Sequence, residues 1–179
     1  MKERLTGCFD ETVDASLASG SEELQEQLRK YLGDAHALEQ QSIGLLERAS
    51  SRDPGPLAEA YEEHLVESRD HAEAIEERLR VLGGDPSTLK DSAMRIGAIN
   101  WATFFEAHPD TPGKRTAFAF AFEHLEIGGY EQLKRVAHKA GDDGTAQLAE
   151  SILEQERNAA ATLASLFPQA AQLALAAKA

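Results

Sequence analysis

Four long segments of this 179-residue chain repeat apolar residues at the spacing of an α-helix, and each carries a glutamate on the apolar stripe. Such stripes are stable when they are buried against one another, so the pattern predicts an all-α four-helix bundle. A buried carboxylate without a partner is costly or becomes protonated, and one buried acid per helix therefore requires counter-ions. The four glutamates are Glu39, Glu67, Glu126 and Glu156. Because His64 and His71 flank Glu67, the set predicts a metal site inside the bundle.

Turn sequences divide the chain into two pairs of helices. The predicted long helices span 21–50, 57–82, 115–140 and 145–166. Each pair is joined by a short turn and forms an antiparallel hairpin, and a long crossover containing a shorter helix at 88–107 connects the two hairpins. Residues 1–20 show no sustained period and are predicted to form an N-terminal arm. The bundle is therefore expected to span 21–167, followed by a weakly packed, alanine-rich tail at 168–179.

The charge of the chain limits its partners. Its 31 acidic and 18 basic residues give a formal net charge of −13, which repels nucleic-acid phosphate and anionic lipid. No stretch approaches the roughly 18 consecutive apolar residues of a membrane span, and the first residues lack the apolar core of a signal peptide. The single cysteine, Cys8, cannot form an internal disulfide. These features predict a cytoplasmic protein with no nucleic-acid or membrane partner.

The levels of the acids in the first hairpin can be compared from the sequence alone. Residues equidistant from the turn of an antiparallel pair lie at the same level, and Glu39 and Glu67 agree to about one residue, or ~1.5 Å of helix rise. His64 and His71 lie on either side of that level. The three residues from the second helix are spaced i, i+3, i+7 and so share a face.

The second hairpin completes the predicted metal site. Glu126 and Glu156 differ in level by about three residues, which is less than one helical turn. Glu123 lies one turn from Glu126 and can share its face. Clustered carboxylates with imidazole are ligands typical of iron or manganese, and bridging glutamates hold two metals near each other. Such a site suits the reduction of O₂ or peroxide coupled to metal oxidation.

Two other interpretations follow from the same residues. In the first, the bundle is metal-free and serves as a structural or interaction module, with its acids hydrogen-bonded to the histidines and to Tyr31, Tyr61 and Tyr130. In the second, many subunits form a closed iron-storage shell. A homodimer is the predicted assembly, because the crossover carries an apolar patch made of Trp101, Phe104 and Phe105.

Four stretches of the chain resemble the ferritin-like superfamily and, more closely, its bacterial Yci-type stress-protein branch, a domain family of unknown function. They are YLGDAHALEQ at 31–40, EEHLVESRDHAEAIEERLRVLGGDPSTLKD at 62–91, EHLEIGGYEQLKRVAHKAGD at 123–142 and ILEQE at 152–156. Their order and spacing agree with that branch across nearly all of 21–167. The resemblance implies a ferritin-like four-helix bundle, a dinuclear iron or manganese site, and a role in stress protection through metal oxidation or peroxide handling.

The superfamily pattern places a glutamate on the first and third helices and Glu-x-x-His on the second and fourth. This chain departs from it, since neither His64 nor His71 has a glutamate three residues earlier and Glu156 is not followed by a histidine. Residue by residue, the resemblance retains the acids at Glu39, Glu67, Glu126 and Glu156, with His64 or His71 as nitrogen donor. The number of metal ions is left open at this point.

Overall fold

The computed structural model describes residues 8–85 and 111–176, and it describes side chains from residue 21 onward. Its helices are α1 (Cys8–Ser50), α2 (Pro56–Val81), α3 (Pro112–Lys139), α4 (Asp143–Ser165) and α5 (Phe167–Ala176). The described part of the chain contains no strand, and the predicted all-α four-helix bundle is confirmed. The predicted crossover helix at 88–107, with the aromatic patch on which the homodimer prediction depends, lies outside the described residues.

The structure differs from the sequence-based boundaries at both ends of the bundle. Helix α1 begins at Cys8 rather than Ser21, because residues 8–20 contain no proline and a single glycine does not interrupt helical hydrogen bonding. At the other end, residues 167–176 form α5, which contacts α3 and buries Ala170. Pro168 falls in the first turn of α5, where its missing N–H has no helical partner to lose.

The four long helices form two hairpins that pack side by side. Helix α1 packs against α2 and α3, and α4 packs against α3 and α2. Helix α2 ends beside the middle of α1, where Arg29 Nη1 donates to the Leu82 carbonyl at 3.4 Å. Helix α3 begins at the opposite end, beside the α1–α2 turn. The end of α2 and the start of α3 therefore lie at opposite ends of the bundle.

The core has an apolar cluster at each end and a polar layer between them. The cluster near the α1–α2 turn includes Leu46, Leu57, Tyr61, Ala119 and Leu163. The cluster near the α3–α4 turn includes Leu28, Leu32, Ile75, Leu133 and Ile152. Between them, the buried polar layer consists of Glu39, Ser42, His64, Ser68, His71, Glu123, Glu126 and Glu156. Eight polar side chains buried at one level are expensive, so they indicate a function that requires them.

Two ion pairs each join a turn of one hairpin to a helix of the other. Asp53 in the α1–α2 turn accepts a hydrogen bond of 2.8 Å from Arg115 Nε in α3. Asp142 in the α3–α4 turn pairs with Arg78 of α2 and also caps α4 by accepting the Thr145 N–H at 2.9 Å. Both aspartates are buried. The pairs fix the two hairpins against each other at both ends of the bundle.

Substitution of Asp142 by alanine is expected to lower the free energy of unfolding by about 2–4 kcal/mol, because it removes the cap of α4 and leaves Arg78 without its carboxylate. The measurement is urea denaturation followed by circular dichroism. As a control, Glu150→Ala removes an exposed partner of Lys134 and should cost less than about 1 kcal/mol. Equal effects of the two substitutions would contradict the role given to Asp142.

Among the described helices, none by itself combines the length and the apolar composition of a membrane span. Helices α4 and α5 meet those criteria only when taken together, with a bend of 45° between them.

Candidate metal centre

All four long helices contribute to the polar layer. Helix α1 supplies Glu39, α2 supplies both histidines, and α4 supplies Glu156. Helix α3 supplies Glu123 and Glu126, which lie one turn apart on its inward face. All four of these carboxylates have no exposed surface. The apolar stripes of the sequence therefore carry these acids into the core.

The first donor group contains one residue from α2, two from α3 and one from α4. It consists of His64, Glu123, Glu126 and Glu156, each with one ligand atom within 4.8 Å of the others. His64 Nε2 lies 2.7 Å from Glu123 Oε2 and 3.4 Å from Glu156 Oε2. Neither the His64 Nε2 atom nor these carboxylate oxygens has a hydrogen bond of good geometry, although the atoms are close. The group thus gathers one imidazole and three carboxylates around a common point.

The second donor group consists of Glu39, His71 and Glu156. His71 Nδ1 lies 3.3 Å from Glu39 Oε1 and 3.1 Å from Glu156 Oε1. Glu156 belongs to both groups, with Oε1 facing His71 and Oε2 facing His64. A carboxylate placed in this way can bridge two cations.

Each histidine is oriented by a hydrogen bond on the ring nitrogen that faces away from its donor group. His64 Nδ1 lies 3.0 Å from Glu67 Oε2, and His71 Nε2 lies 3.0 Å from Gln155 Oε1. With these oxygens as acceptors, the outer nitrogens donate, and the inner nitrogens would present lone pairs to a cation once each ring has lost its second proton. Metal-bound histidines in proteins commonly have such an outer partner, which fixes the tautomer and the ring orientation.

Glu67 lies outside both donor groups, although the sequence placed it among the ligands. Its side chain is 34% exposed and contacts only the outer nitrogen of His64 within this site. The neighbouring Ser68 takes the inward position and is fully buried. One residue is a rotation of about 100° around a helix, so the exact packing angle of α2 decides which of the two side chains points inward.

Two side chains of the site were not among the predicted ligands. Tyr130 of α3 donates a hydrogen bond to Glu39 Oε1. It lies four residues after Glu126, so the helical period places it on the same face, and the metal-free interpretation of the sequence already named it as a hydrogen-bond partner of the buried acids. Gln155 gives no such signal, because its contact with His71 depends on how closely α4 approaches α2.

Burial dominates the electrostatics of three of the carboxyl groups. It raises the pKa of Glu39, and it raises the pKa of Glu123 to about 7 against the pull of His64. The pKa of Glu126 lies well above the usual carboxyl range, because burial is reinforced by the charges of Glu39 and Glu156. The raised pKa values favour the protonated form of these groups, and a cation that bound them would have to displace those protons.

The bridging carboxylate and the two histidines behave in the opposite way. Burial raises the pKa of Glu156, but its contacts with His64 and His71 outweigh that effect and lower the pKa to about 2. Burial lowers the pKa of His71, but the carboxylates of Glu156 and Glu39 raise it to about 10. The pKa of His64 is raised in the same way by Glu123, Glu156 and Glu67. Without metal, protonated histidines are the counter-ions of Glu156.

The stability of the metal-free protein is expected to fall as pH rises. Folded carboxyls with raised pKa values and histidines with raised pKa values bind more protons than the unfolded chain does, from about pH 4.5 upward, so raising the pH favours unfolding. Glu156 acts in the other sense only below that pH. Chelator-treated protein should therefore melt at a higher temperature at about pH 5.5 than at about pH 8.5.

The stabilisation gained on adding metal should show the reverse trend, because ligands must lose protons to bind a cation. Thermal melts across this pH range, with and without Mn²⁺, measure how the melting temperature and the stabilisation by metal each depend on pH. A metal-free protein whose melting temperature rises with pH would contradict the arrangement of charges described above.

The polar layer contains many atoms that find no hydrogen bond. Both oxygens of Glu126 are buried with no hydrogen bond or ion pair, and those of Glu123 and Glu156, Glu39 Oε2 and the inner nitrogens of the two histidines have no hydrogen bond of good geometry. Unpartnered buried carboxylate oxygens are rare in folded proteins, because each loses its hydration without compensation. Four carboxylates with two imidazoles are the donors that iron and manganese prefer. The residues present therefore fit an iron-type metal centre.

The family and its curated relatives agree with this architecture. A family model described as Domain of unknown function (DUF892) matches residues 23–176. A bacterioferritin of Desulfovibrio desulfuricans is 27% identical over 145 residues, which cover 79% of this chain and 74% of that protein.

Solved structures show the same fold. A ferritin-like, diiron-carboxylate protein of Bacillus anthracis superposes with a TM-score of 0.64 at 18% identity, covering 80% of this chain and 97% of that one. The Escherichia coli stress protein YciF superposes with a TM-score of 0.65 at 21% identity, covering 83% of this chain and 97% of that one. At these identities the likeness establishes the fold, and the fold of this chain is ferritin-like.

Proposed function

Because this chain belongs to the DUF892 family, in the Yci-type branch of the ferritin-like superfamily, we propose that its buried polar layer binds two iron or manganese ions. The observation that carries the proposal is the set of buried carboxylate oxygens without hydrogen-bond partners. The two donor groups share Glu156, so two ions bound there would be bridged. The Bacillus anthracis protein of the same fold is a diiron-carboxylate protein, which supports the same assignment.

This chain has as many candidate metal ligands as the superfamily pattern, but two of them stand at other positions. Ser68 stands three residues before His71, where the superfamily pattern has a glutamate, and Ala159 stands three residues after Glu156, where it has a histidine. The layer contains Glu123 and His64 in addition to the positions of the pattern. Four glutamates and two histidines are thus retained, with one imidazole in each donor group. This inventory supports two metal positions despite the departures from the motif.

The activity that we propose is metal oxidation coupled to reduction of O₂ or peroxide, in protection against stress. Bound iron or manganese would supply the one-electron chemistry. The chain fixes the ligands: Tyr130 holds Glu39, and Glu67 and Gln155 orient the two imidazoles. The apolar clusters above and below the layer exclude water from both ends. The likeness to a bacterioferritin and to the stress protein YciF supports this role.

The test is metal content per chain, measured by mass spectrometry on protein purified without chelator. About two iron or manganese ions per chain are expected, one for each donor group. Protein that stays metal-free after anaerobic reconstitution with both metals would instead support a structural or interaction module. Light scattering on the same samples tests the proposed homodimer, for which the mass should be twice that of the chain.

A further inference from the structure

Two serines of the polar layer, Ser42 of α1 and Ser68 of α2, belong to neither donor group. Both side chains are fully buried, and neither hydroxyl has a hydrogen-bond partner among the described residues. A serine within a helix usually satisfies its hydroxyl by facing solvent or by bonding to the carbonyl of the preceding turn. A buried hydroxyl without a partner costs free energy that alanine at the same position would avoid. The two hydroxyls therefore indicate a role that alanine could not fill.

The helical register places the two serines opposite each other, beside the donor groups. Glu39 Oε1 of α1 and His71 Nδ1 of α2 lie 3.3 Å apart. Because the two helices are antiparallel, three residues towards their connecting turn lead from Glu39 to Ser42 on α1. The same step on α2 leads from His71 to Ser68. The serines thus occupy facing positions one helical turn from that contact, on the inward faces of the two helices.

Ser68 lies at the level of the carboxylate that the two donor groups share. It follows His64 by four residues and precedes His71 by three, so it stands between them on the inward face of α2. Glu156 reaches the same interval from α4, with Oε2 3.4 Å from His64 Nε2 and Oε1 3.1 Å from His71 Nδ1. The Ser68 hydroxyl and the bridging carboxylate are therefore carried at one level by two helices that pack against each other.

Ser42 lies at the level of Glu126. Gly129 of α3 packs against Leu38 of α1, whose Cδ1 would lie 2.9 Å from a Cβ at position 129. This contact sets the register of the two antiparallel helices. Three residues earlier on α3 is Glu126, and the same distance along α1 leads to residue 41, next to Ser42. Among the four buried carboxylates, Glu126 is the one whose oxygens have neither a hydrogen bond nor an ion pair with the described residues.

Carboxylates that bind metals in proteins are generally held in place by a hydrogen bond from a second group. Glu39 has such a donor, because Tyr130 bonds to its Oε1. The inner nitrogens of the two histidines cannot donate to Glu126 or Glu156 once they present lone pairs to a cation. In the described part of the polar layer, the two serines are then the remaining uncharged donors.

We propose that Ser42 and Ser68 are positioning residues of the metal centre, whose hydroxyls donate hydrogen bonds to the carboxylates of Glu126 and Glu156, respectively, when these bind metal. The inference rests on the metal site proposed above. A hydroxyl suits this task, because it donates a hydrogen bond without adding charge to a layer that already holds four carboxyl groups and two imidazoles.

The experiment uses the full-length protein and Co²⁺, whose visible absorption reports the arrangement of its ligands. Ser42→Ala and Ser68→Ala should each weaken Co²⁺ binding by about tenfold or more and change the absorption spectrum, because a ligand carboxylate loses the partner that orients it. The metal-free variants should be at least as stable to urea as the wild-type protein, because the deleted hydroxyl has no partner there. Alanine is smaller than serine, so neither change crowds the core.

Threonine at the same positions retains the hydroxyl and provides the rescue. Ser42→Thr and Ser68→Thr should bind Co²⁺ within about threefold of the wild-type affinity and keep its spectrum. If the added methyl group prevents a threonine variant from folding, the alanine variants decide the outcome. Ser151→Ala is the control, since this serine is exposed on α4, and it should change neither Co²⁺ binding nor stability.

An alanine variant that keeps the wild-type affinity and spectrum would overturn the role given to that serine, as would a folded threonine variant that behaves like alanine. An alanine variant that is less stable without metal but binds Co²⁺ normally would show that the hydroxyl is structural. These results would leave the metal site in place. A wild-type protein that binds no Co²⁺ would overturn the metal site itself and this proposal with it.

Discussion

Replacing Glu126 by leucine is expected to stabilise the metal-free protein by about 1–3 kcal/mol while weakening metal binding at least 100-fold. Among the four buried carboxylates, Glu126 is expected to show these opposite effects most strongly. Its side chain is fully buried, has no hydrogen-bond partner, and has a pKa raised well above the usual range. An apolar side chain of similar size removes the cost of burying the carboxyl and extends the neighbouring apolar clusters. The same change deletes a ligand of the first donor group.

Urea denaturation of chelator-treated protein measures the first quantity, and a competitive metal titration measures the second. Glu154→Leu serves as the control, because residue 154 is exposed on α4 and lies outside both donor groups. It should change the free energy of unfolding by less than about 0.5 kcal/mol. Loss of stability in the metal-free Glu126→Leu protein would show that the carboxyl is structural, as the metal-free interpretation requires.

Replacing Glu156 by alanine is expected to reduce bound metal from about two ions per chain to less than one, because this residue alone belongs to both donor groups. Its two oxygens face His71 and His64 separately, so the substitution opens both positions at once. Metal content and the protection against thermal unfolding given by added Mn²⁺ are the two measurements.

The informative comparison is Glu67→Gln, which retains an acceptor oxygen near His64 but removes the charge. It should lower metal affinity by roughly 10–100-fold, as changes to outer partners of metal ligands do, without changing the number of ions bound. A loss of stoichiometry in Glu67→Gln equal to that in Glu156→Ala would mean that Glu67 is itself a ligand, as the sequence alone indicated.

The apolar period predicted which of these acids are buried, because burial is what the period encodes. Glu39, Glu126 and Glu156 interrupt otherwise apolar stripes, and all three lie in the buried layer. The period resolves a helix face only to about one residue, and this is why it could not separate Glu67 from Ser68. Gln155 was beyond reach for another reason, since its contact depends on the distance between two helices.

The ends of the helices were harder to predict than the residues that face the core. Ser21 followed by two glutamates has the composition of a helix start, yet α1 passes through it, because a capping residue does not end a helix that precedes it. The sequence predicts a weakly packed tail from residue 168, and Pro168 lies instead in the first turn of α5. In both cases the same local residues are found at the start of a helix and at a break between helices. Packing against the rest of the bundle decides which of the two occurs.

The two ion pairs at the ends of the bundle have a consequence for evolution. Asp53 with Arg115 and Asp142 with Arg78 fasten the hairpins to each other at both turns, so neither end is free to open. Small molecules that move between solvent and the interior must then pass between helices, midway along the bundle. Selectivity at such a point is set by single side chains on rigid helices, and it can be altered by one substitution at a time without rebuilding a loop or weakening the frame.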